Sequence, residues 1–411
     1  MRKLAWPLLI ILVFFSETPA QEIGSVLPAW SPGYFDIHHI NTGKGESIFS
    51  ILPDGTTLLI DAGETKRRGP RVTPQRPNSS RTPGEWIARY ITHFLPASAN
   101  GTLDYVLLSH FHGDHMGEIS ADSPVSKSGQ YRLSGITTVG EYLRFKKVID
   151  RGWPDYDYPQ PLDNETLRNY RDFLAYQQDK NHLQVERFRV GVNDQIILLH
   201  DSGRYDNFEI RNIAANGEIW TGVAENTRHH FPPLDQIPEG QKPSENMCCI
   251  AIRMSYGAFD YFTAGDIPGV LDPGDPLWHD VETPVAQVVG PVEVAEANHH
   301  AYLDAENAFF LSALRPRVHI IQVWSPSHPS PRPLRRMLST RVYPGPRDIF
   351  ATNMMKANKI VIGSNLDRLK SDQGHIVVRV EPGGDSFKVI ILDDSAETYK
   401  VVAVHGPYAS R

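Results

Sequence analysis

Apolar and polar positions in the first part of the chain follow the patterns of strands and helices. Two apolar runs, at 48–52 and 57–60, flank a Pro-Asp-Gly turn at 53–55, and this arrangement predicts a β-hairpin. Large apolar side chains recur every three or four positions across 83–94, which predicts an amphipathic helix. Residues 103–108 form a short continuous apolar run, which is typical of a strand buried on both faces.

The rest of the chain mixes further strand-type and helix-type patterns. Residues 123–190 predict an insertion of loops with a helix that Asp163 or Asn164 would cap, and another helix is expected at 305–314. Strands are expected at 195–199, 247–254, 259–263, 288–295, 318–323, 359–362 and 375–392. Strands and helices alternate in both halves without a separating linker. The pattern therefore predicts a single α+β domain, with helices outside a β-sandwich.

The N-terminus has the pattern of a secretory signal peptide. A positively charged start precedes an apolar run from Leu4 to Phe15, and small residues follow at 18–20. We expect residues 1–20 to be removed and residues 21–411 to form an exported domain, either periplasmic or secreted into the medium. An uncleaved membrane anchor is the alternative, although the run is short for a span. No later apolar stretch is long enough to cross a membrane.

Composition narrows the classes of protein that fit. With 40% hydrophobic and 22% charged residues the chain can bury a sizeable core, which excludes a disordered protein. The net charge of −7 argues against a protein that coats nucleic acid by charge alone. There are 17 His but only 2 Cys, the adjacent Cys248 and Cys249, which we interpret as buried thiols. A metal site in this chain would therefore use imidazole and carboxylate rather than thiolate ligands.

The strongest chemical signal is a cluster of three histidines and one aspartate that follows the apolar run at 103–108. His110 and His112 are two positions apart, so their rings point the same way in an extended turn. Asp114 and His115 follow on a tight loop and can face a second point nearby. Imidazole and carboxylate ligands favour zinc, with manganese or iron as alternatives. The spacing therefore predicts a metal site, with room for two ions rather than one.

Other polar residues also follow apolar runs, as the histidine cluster does. Asp61 and Asp266 each come directly after such a run, and another ends in the pair His299 and His300. His328 lies in a Ser-Pro-Ser-His-Pro segment later in the chain. Any one of these residues alone is typical of a turn. Because ligand sites collect at the carboxyl ends of strands, their order favours one shared site.

The order of these groups resembles that of metallo-β-lactamase-fold hydrolases, whose signature is His-x-His-x-Asp-His after a strand. More narrowly, the chain is similar to the extracytoplasmic hydrolase domain of the competence protein ComEC and its stand-alone relatives. The matching segments are His-Ile-Asn-Thr-Gly-Lys-Gly-Glu-Ser at 39–47, Leu-Leu-Ile-Asp-Ala-Gly at 58–63, the metal motif at 109–117, and 245–266, 299–300 and 328–329. The resemblance covers roughly residues 34–392. It implies a four-layer αββα sandwich.

The resemblance also implies six metal ligands, drawn from seven candidate residues. They are His110 and His112 at a first ion, Asp114, His115 and one of His299 or His300 at a second ion, and Asp266 as a bridge between the two ions. Asp114 and Asp266 are also the residues implied in catalysis. Asp61 would orient a ligand imidazole from behind, and His328 would lie in a similar outer position.

Two ligand questions stay open from the sequence. Many members of the family carry a further histidine between the metal motif and the Gly-Asp turn, and the candidates here are His182, His200, His229 and His230. The family pattern of two histidines followed by glycine ends in Ala301 here, so either histidine of the pair could be the ligand.

The function implied by the resemblance is metal-dependent hydrolysis, with one or two zinc ions and attack by hydroxide formed from metal-bound water. We expect a phosphoester or phosphodiester substrate, because the ComEC-like branch is linked to cleavage of nucleic acid or of choline-phosphate esters. Two alternatives are hydrolysis of a β-lactam or lactone, and a non-catalytic binding module with a degenerate metal site. A small-molecule substrate fits the acidic chain better than nucleic acid does. The oligomeric state stays open.

Two loops bear on the substrate. One is rich in basic residues and lies beside Asp61; these residues are Lys66, Arg67, Arg68, Arg71, Arg76 and Arg81. Such a run is either a solvated surface loop or a binding surface for an anion. The other loop, at 153–158, is aromatic, proline-rich and acidic, and it is either a lid over the site or a surface insertion.

Overall fold

The computed structural model of the protein describes residues 22–411, so the predicted signal peptide at 1–20 lies outside the described residues. Within 22–411, no helix is both long and apolar enough to cross a membrane. The strands are β1 Phe35–His39, β2 Ile48–Ile51, β3 Thr57–Ile60, β4 Thr102–Leu107, β5 Arg144–Asp150, β6 Gln184–Arg187, β7 Phe208–Ala215, β8 Glu218–Trp220, β9 Thr227–His229, β10 Ala251–Tyr256, β11 Phe259–Thr263, β12 Val294–Glu296, β13 Val318–Ile321, β14 Asp348–Ala351, β15 His375–Val380, β16 Ser386–Leu392 and β17 Val401–Ala409. The α-helices are α1 Pro83–Phe94, α2 Gly113–Met116, α3 Ile136–Tyr142, α4 Glu165–Asn181, α5 Glu282–Val289, α6 Ala308–Leu314, α7 Pro331–Met337 and α8 Lys356–Ile362.

These strands form two large mixed sheets, so the predicted α+β class is confirmed. The first sheet has nine strands in the order β17-β16-β15-β1-β2-β3-β4-β5-β6, and the second has eight in the order β14-β13-β12-β11-β10-β7-β8-β9. In the first sheet the segment β3-β4-β5-β6 is parallel. In the second sheet β11-β12-β13-β14 is parallel. The remaining pairs in both sheets are antiparallel.

Successive side chains of the central strands enter different apolar clusters, because neighbours along a strand point to opposite faces. Leu58 and Tyr261 lie in a cluster to which both sheets contribute. Leu59, the next residue of β3, lies instead in a cluster with side chains of α1, α3 and α4. Phe262, the next residue of β11, lies in a third cluster with side chains of α5, α6 and α7. Both sheets are therefore covered on two faces.

The topology brings the predicted site residues to the carboxyl ends of parallel strands. Asp61 follows β3, and the metal motif follows β4, its parallel neighbour. Asp266 follows β11, the histidine pair follows β12, and His328 follows β13. His110, which follows β4 of the first sheet, lies 3.7 Å from Asp266, which follows β11 of the second, so both sets of strand ends meet at one place.

Several elements agree with the sequence pattern. Helix α1 covers 83–94 and strand β11 covers 259–263, as predicted. The helix predicted after residue 164 is α4, with the side chain of Asn164 accepting a hydrogen bond from the N–H of Leu167. The range 123–190 also contains β5 and β6, which extend the first sheet. Neither strand was predicted. Strand β6 carries no continuous apolar face at this edge of the sheet.

Three strand predictions are wrong. Ile196 and Leu198 are buried while Ile197 and Leu199 are each 45% exposed, but this segment is irregular. Its backbone N–H groups donate to side chains rather than to a strand backbone: that of Ile197 donates to the Tyr105 hydroxyl at 3.4 Å, and that of Leu199 donates to Thr56 Oγ1 of the β2–β3 turn at 2.8 Å.

The other two wrong predictions fall on helices. The range 288–295 begins in α5 and only its end belongs to β12, because Gly290, with φ of 72°, ends the helix. Residues 359–362 belong to α8, where Ile360 and Val361 are 83% and 70% exposed. A short apolar run does not distinguish a strand from a helix, and the tertiary structure decides between them.

Candidate metal centre

The metal motif forms a tight turn after β4, and His112 is the residue that precedes α2. The main-chain carbonyl of Asp114 accepts a hydrogen bond of 2.8 Å from the N–H of Glu46, which ties the motif to the loop after β1. Gly45 and Gly63 allow this close approach. An added Cβ would lie 2.3 Å from the Asp114 carbonyl oxygen at Gly45 and 1.9 Å from it at Gly63.

His110, His112 and Asp266 form the first of two groups of candidate ligands. Nε2 of His110 lies 3.1 Å from Nδ1 of His112 and 3.7 Å from Oδ2 of Asp266. Nε2 of His299 lies 3.8 Å from the same carboxylate oxygen. The ligand atoms of the first three residues lie within 4.8 Å of one another, so they could hold one metal ion.

Glu46, His115, Asp266 and His300 form the second group, and all four side chains are buried. Oδ1 of Asp266 lies 3.2 Å from Nε2 of His115 and 3.6 Å from Nε2 of His300. Oδ2 of Asp114 lies 3.5 Å from the same His300 nitrogen. Asp266 therefore presents one carboxylate oxygen to each group, which is the arrangement that a bridging ligand requires.

Asp61 contacts the second group from behind. Its Oδ2 lies 2.8 Å from Nδ1 of His115, and its Oδ1 accepts a 2.8 Å hydrogen bond from the N–H of Ser109. With its Nδ1 proton directed to Asp61, His115 keeps the lone pair of Nε2 for a ligand. Asp61 has a φ of 59°, in the left-handed region that aspartate tolerates better than most residues. This conformation turns the carboxylate toward the histidine.

The loop that carries the histidine pair has an uncommon backbone. His299, His300 and Ala301 have φ values of 44°, 53° and 55°. Each non-glycine residue in this region costs about 1–2 kcal/mol. The N–H of His299 donates a 3.0 Å hydrogen bond to the carbonyl of Gly265, so the loop lies directly against the Gly-Asp turn that carries Asp266.

A buried carboxylate holds both ends of this loop. Oε1 of Glu282 accepts hydrogen bonds from Nδ2 of Asn298 at 2.8 Å and from the N–H of Glu306 at 2.6 Å. Its Oε2 accepts a 2.7 Å bond from the N–H of Asn307. The Glu306 carboxylate in turn accepts a 3.0 Å bond from the N–H of Asn298. A strained backbone persists only where its surroundings hold it in place, and this network does so.

The charges of the centre call for a cation. Glu46, Asp61 and Asp266 are buried, and within residues 22–411 no Lys or Arg forms an ion pair with any of them. Burial raises the pKa of Glu46, with a further contribution from Glu296. Although burial opposes it, nearby carboxylates raise the pKa of His115 well above its ordinary value, and the histidines hold that of Asp266 low. Uncompensated buried carboxylates are costly, so the site is suited to a positive ion.

Unpartnered ligand atoms support the same conclusion. Oε1 of Glu46, Nε2 of His115, Oδ1 of Asp266 and Nδ1 of His300 are buried and make no hydrogen bond. Buried polar atoms in proteins are normally satisfied, and a metal ion would satisfy atoms of this type. The residues present therefore fit the implied metal. The prediction of a metal cofactor is confirmed in part, because the structure has a buried cluster that could bind a metal ion.

The two histidines of the pair take different places. His300 belongs to the second group, and its Nε2 accepts a 3.2 Å hydrogen bond from Nε1 of Trp324. His299 lies beside the first group, and its Nδ1 is 2.7 Å from Oδ1 of Asp304. Although burial opposes it, Asp266 and Asp304 raise the pKa of His299 to about 9. His328 stacks on His300 with ring centroids 4.6 Å apart.

The centre lies at the bottom of an open cavity of about 670 Å³. His112, Asp114, Asp266, His299 and His328 reach this cavity, as do Thr65, Lys66, Arg67, Gly113, Glu118, Asn246, Tyr302, Trp324 and Ser327. None of the residues at 153–158 lines the cavity, so the aromatic loop does not cover the site in this structure. Its Tyr156 packs instead against Phe111 of the metal motif, with ring centroids 5.6 Å apart.

None of the four candidates for a further histidine ligand lines this cavity; they are His182, His200, His229 and His230. Asn246 lies there instead, with its Nδ2 3.4 Å from Nε2 of His299 and its Oδ1 buried without a partner. The first group therefore has no further histidine from the segment between the metal motif and Asp266.

Sequence reasoning gave no metal-binding role to Glu46, although it named the motif that contains this residue. The signal was present, because Glu46 directly follows two glycines spaced for a tight turn. It also missed Glu282 and Asp304. Glu282 accepts a hydrogen bond from Asn298, 16 positions away, and Asp304 contacts His299, five positions away, and no sequence pattern marks either contact. Cys248 and Cys249 are buried and free, as predicted.

Comparisons with models of protein families and with curated proteins found no match to this chain.

Proposed function

We propose that this chain is a metal-dependent hydrolase of a phosphoester or phosphodiester. The observation that carries the proposal is the pair of ligand groups joined by the two oxygens of Asp266 at the bottom of an open polar cavity. Such paired groups suit two ions that act on one substrate. Zinc fits the imidazole and carboxylate ligands best, and manganese or iron would fit the same ligands.

The proposal includes the metallo-β-lactamase type of fold. Three apolar clusters support a four-layer αββα sandwich: one to which both sheets contribute, and one between each sheet and its helices. The positions of the ligands also support it, since they follow the parallel strands β3, β4, β11 and β12. Export of the chain, directed by residues 1–20, belongs to the same proposal.

Each residue of the centre has a distinct task. His110, His112 and Asp266 would hold one ion, and Glu46, His115, His300 and Asp266 would hold the other, with Asp114 as a further candidate ligand 3.5 Å from His300. Bound ions would polarise the phosphoryl oxygen and supply a nucleophilic water at neutral pH. Asp61 fixes the ring of His115, and Asp304 fixes that of His299, so that the imidazole lone pairs keep one direction.

Cationic side chains favour a phosphoryl over a lactam substrate. Lys66 and Arg67 line the same cavity as the candidate ligands His112 and Asp266, and the Arg67 guanidinium lies 5.2 Å from the centre of the Trp324 ring. Guanidinium groups bind phosphate oxygens through paired hydrogen bonds. A phosphodiester in this cavity would thus contact both the metal ligands and these two side chains.

The test is metal analysis of the purified chain together with three chromogenic substrates: bis(p-nitrophenyl) phosphate, p-nitrophenyl phosphorylcholine and nitrocefin. We expect bound transition metal, hydrolysis of a phosphoester, and loss of both metal and activity in His112→Ala and Asp266→Ala. His182→Ala is the matched control, because His182 is exposed and lies away from the cavity. Preferential hydrolysis of nitrocefin would support the lactam alternative. Absence of metal, with no effect of His112→Ala, would refute the hydrolase and leave a binding module.

A further inference from the structure

A second cavity of about 480 Å³ adjoins the cavity of the metal centre, and five of its thirteen lining residues are cations. It shares Thr65, Lys66 and Arg67 with the cavity of the metal centre. Its basic lining residues are Lys44, Lys66, Arg67, Arg68 and Arg81, against two acidic residues, Glu64 and Glu85. A local excess of positive charge in a chain of net charge −7 is unlike the rest of the molecule.

Both acidic residues of this cavity are already occupied. Oε1 of Glu64 pairs with Nζ of Lys66 at 2.6 Å, and its Oε2 accepts hydrogen bonds from the N–H groups of Gly84 and Gly135. The Glu85 carboxylate caps α1 by accepting a 2.7 Å bond from the N–H of Thr82, and it also accepts a bond from Tyr142. Neither carboxylate forms an ion pair with Lys44, Arg67, Arg68 or Arg81, and the lining keeps an excess of three positive charges.

Most of the cations have no counter-ion. Among residues 22–411, no carboxylate forms an ion pair with Lys44, Arg67 or Arg81. Arg68 lies 3.9 Å from Asp122, and both side chains are at least 80% exposed, so this pair contributes little. Ser79, Ser80 and Gln75 line the same cavity and add neutral hydrogen-bonding groups. Cations and hydroxyls around one cavity are the donor set that a phosphate group requires.

The wall between the two cavities is tied to the metal motif. The N–H of Glu64 donates to the carbonyl of Gly113, and the N–H of Lys66 donates to Oε2 of Glu118 at 3.1 Å. The N–H of Thr65 donates to the carbonyl of Lys44 at 2.8 Å. These bonds fix the cationic cavity relative to the metal centre. One extended substrate can therefore occupy both.

We propose that the cationic cavity binds a second phosphate group of the substrate, adjacent to the phosphoryl group held at the metal centre. This inference rests on the proposed phosphodiesterase function and specifies its substrate. The substrate is then an ester that carries at least two phosphate groups, such as a short segment of a phosphodiester polymer. A diester with a single phosphate group would be a poorer substrate. Lys44 and Arg81 are the residues that determine this preference, because they line the cationic cavity and not the cavity of the metal centre.

The experiment compares the dithymidine phosphate TpT with its 5′-phosphorylated form pTpT as substrates of the metal-loaded protein. We expect kcat/KM to be about tenfold higher for pTpT, as one charge-assisted hydrogen bond would give, with the difference residing in KM. The double variant Lys44→Met/Arg81→Met should bring the ratio of the two substrates close to one. Arg341→Met is the matched control, because Arg341 is exposed and outside both cavities, and it should keep the wild-type ratio.

Equal kcat/KM for the two dinucleotides, or the same ratio in the double variant as in the wild type, would overturn the inference while the proposed hydrolase stands. If the wild type cleaves neither dinucleotide, a phosphorylated glycerol phosphate dimer tests the same cavity with a different linker. If no phosphodiester is cleaved, the proposed function fails. The affinity for inorganic pyrophosphate, measured by calorimetry, then tests the cationic cavity. A roughly tenfold weaker affinity in the double variant than in the wild type supports phosphate binding there. Absence of binding to the wild type overturns it.

Discussion

The replacement of Gly63 by alanine tests how the metal motif is held. Gly63 follows the Asp61-Ala62 pair after β3, and the added Cβ would lie 1.9 Å from the carbonyl oxygen of Asp114 and 2.7 Å from the backbone nitrogen of Glu46. Both of these atoms belong to the backbone, so no side-chain rotation can relieve the overlap. Ordinary contacts begin at 3.4 Å, and the carbonyl would have to move by about 1.5 Å.

The cost follows from this displacement. Overpacking of a well-packed interior costs about 1–3 kcal/mol. The movement also breaks the 2.8 Å hydrogen bond from Glu46 to Asp114, which leaves buried groups unsatisfied at about 1–3 kcal/mol. The loss of unfolding free energy should thus be about 2–6 kcal/mol, and for a chain of this size the melting temperature should fall by roughly 2–7 °C. Metal affinity should fall as well, because Asp114 and His115 move with the carbonyl.

The assay is thermal unfolding with and without added zinc, together with titration of the metal-free protein with zinc. Gly203→Ala is the matched control, since Gly203 has an ordinary φ and an added Cβ there would meet nothing within 4 Å. Gly45→Ala should act in the same direction as Gly63→Ala, because its Cβ would meet the same carbonyl at 2.3 Å. If Gly63→Ala matches Gly203→Ala in both melting temperature and zinc affinity, the account of how Asp114 is positioned is wrong.

Three further changes test the centre. Asp61→Asn should weaken zinc binding about 10–100-fold in a titration, because the ring of His115 loses its orienting carboxylate; an unchanged affinity would contradict that role. Glu282→Gln should lower the unfolding free energy by about 1–3 kcal/mol in urea, because one buried acceptor is lost from the loop of the histidine pair; no change would exclude a network held by this carboxylate. Zinc at a hundredfold excess over its dissociation constant should stabilise the metal-free chain by about 2.7 kcal/mol, and a melting temperature that does not respond to zinc would argue against a native metal site.

Local pattern predicted much of the fold. Helix α1 is amphipathic and begins with a capping box of Thr82 and Glu85, so its bounds follow from neighbouring residues alone. Strand β11 contains three buried aromatic residues, Phe259, Tyr261 and Phe262, with a Gly-Asp turn after it, and it was predicted at its observed bounds. The prediction of a strand at 195–199 failed because its backbone donors go to the side chains of Tyr105 and Thr56, far away in the chain. The prediction of a strand at 359–362 failed because three consecutive apolar residues, Ile360, Val361 and Ile362, fit either type of element.

The sequence by itself predicted most of the candidate metal ligands, because ligands of this type come in a short motif and at strand ends. The spacing along the chain was enough to predict one shared site for His110, His112, Asp114 and His115. Only the tertiary structure decided the rest. The distances from Asp266 to both ligand groups, the place of His300 in the second group, and the Glu282 network depend on contacts between residues 16 to more than 200 positions apart. Such contacts arise when two sheets pack on a common core, and no local spacing encodes them.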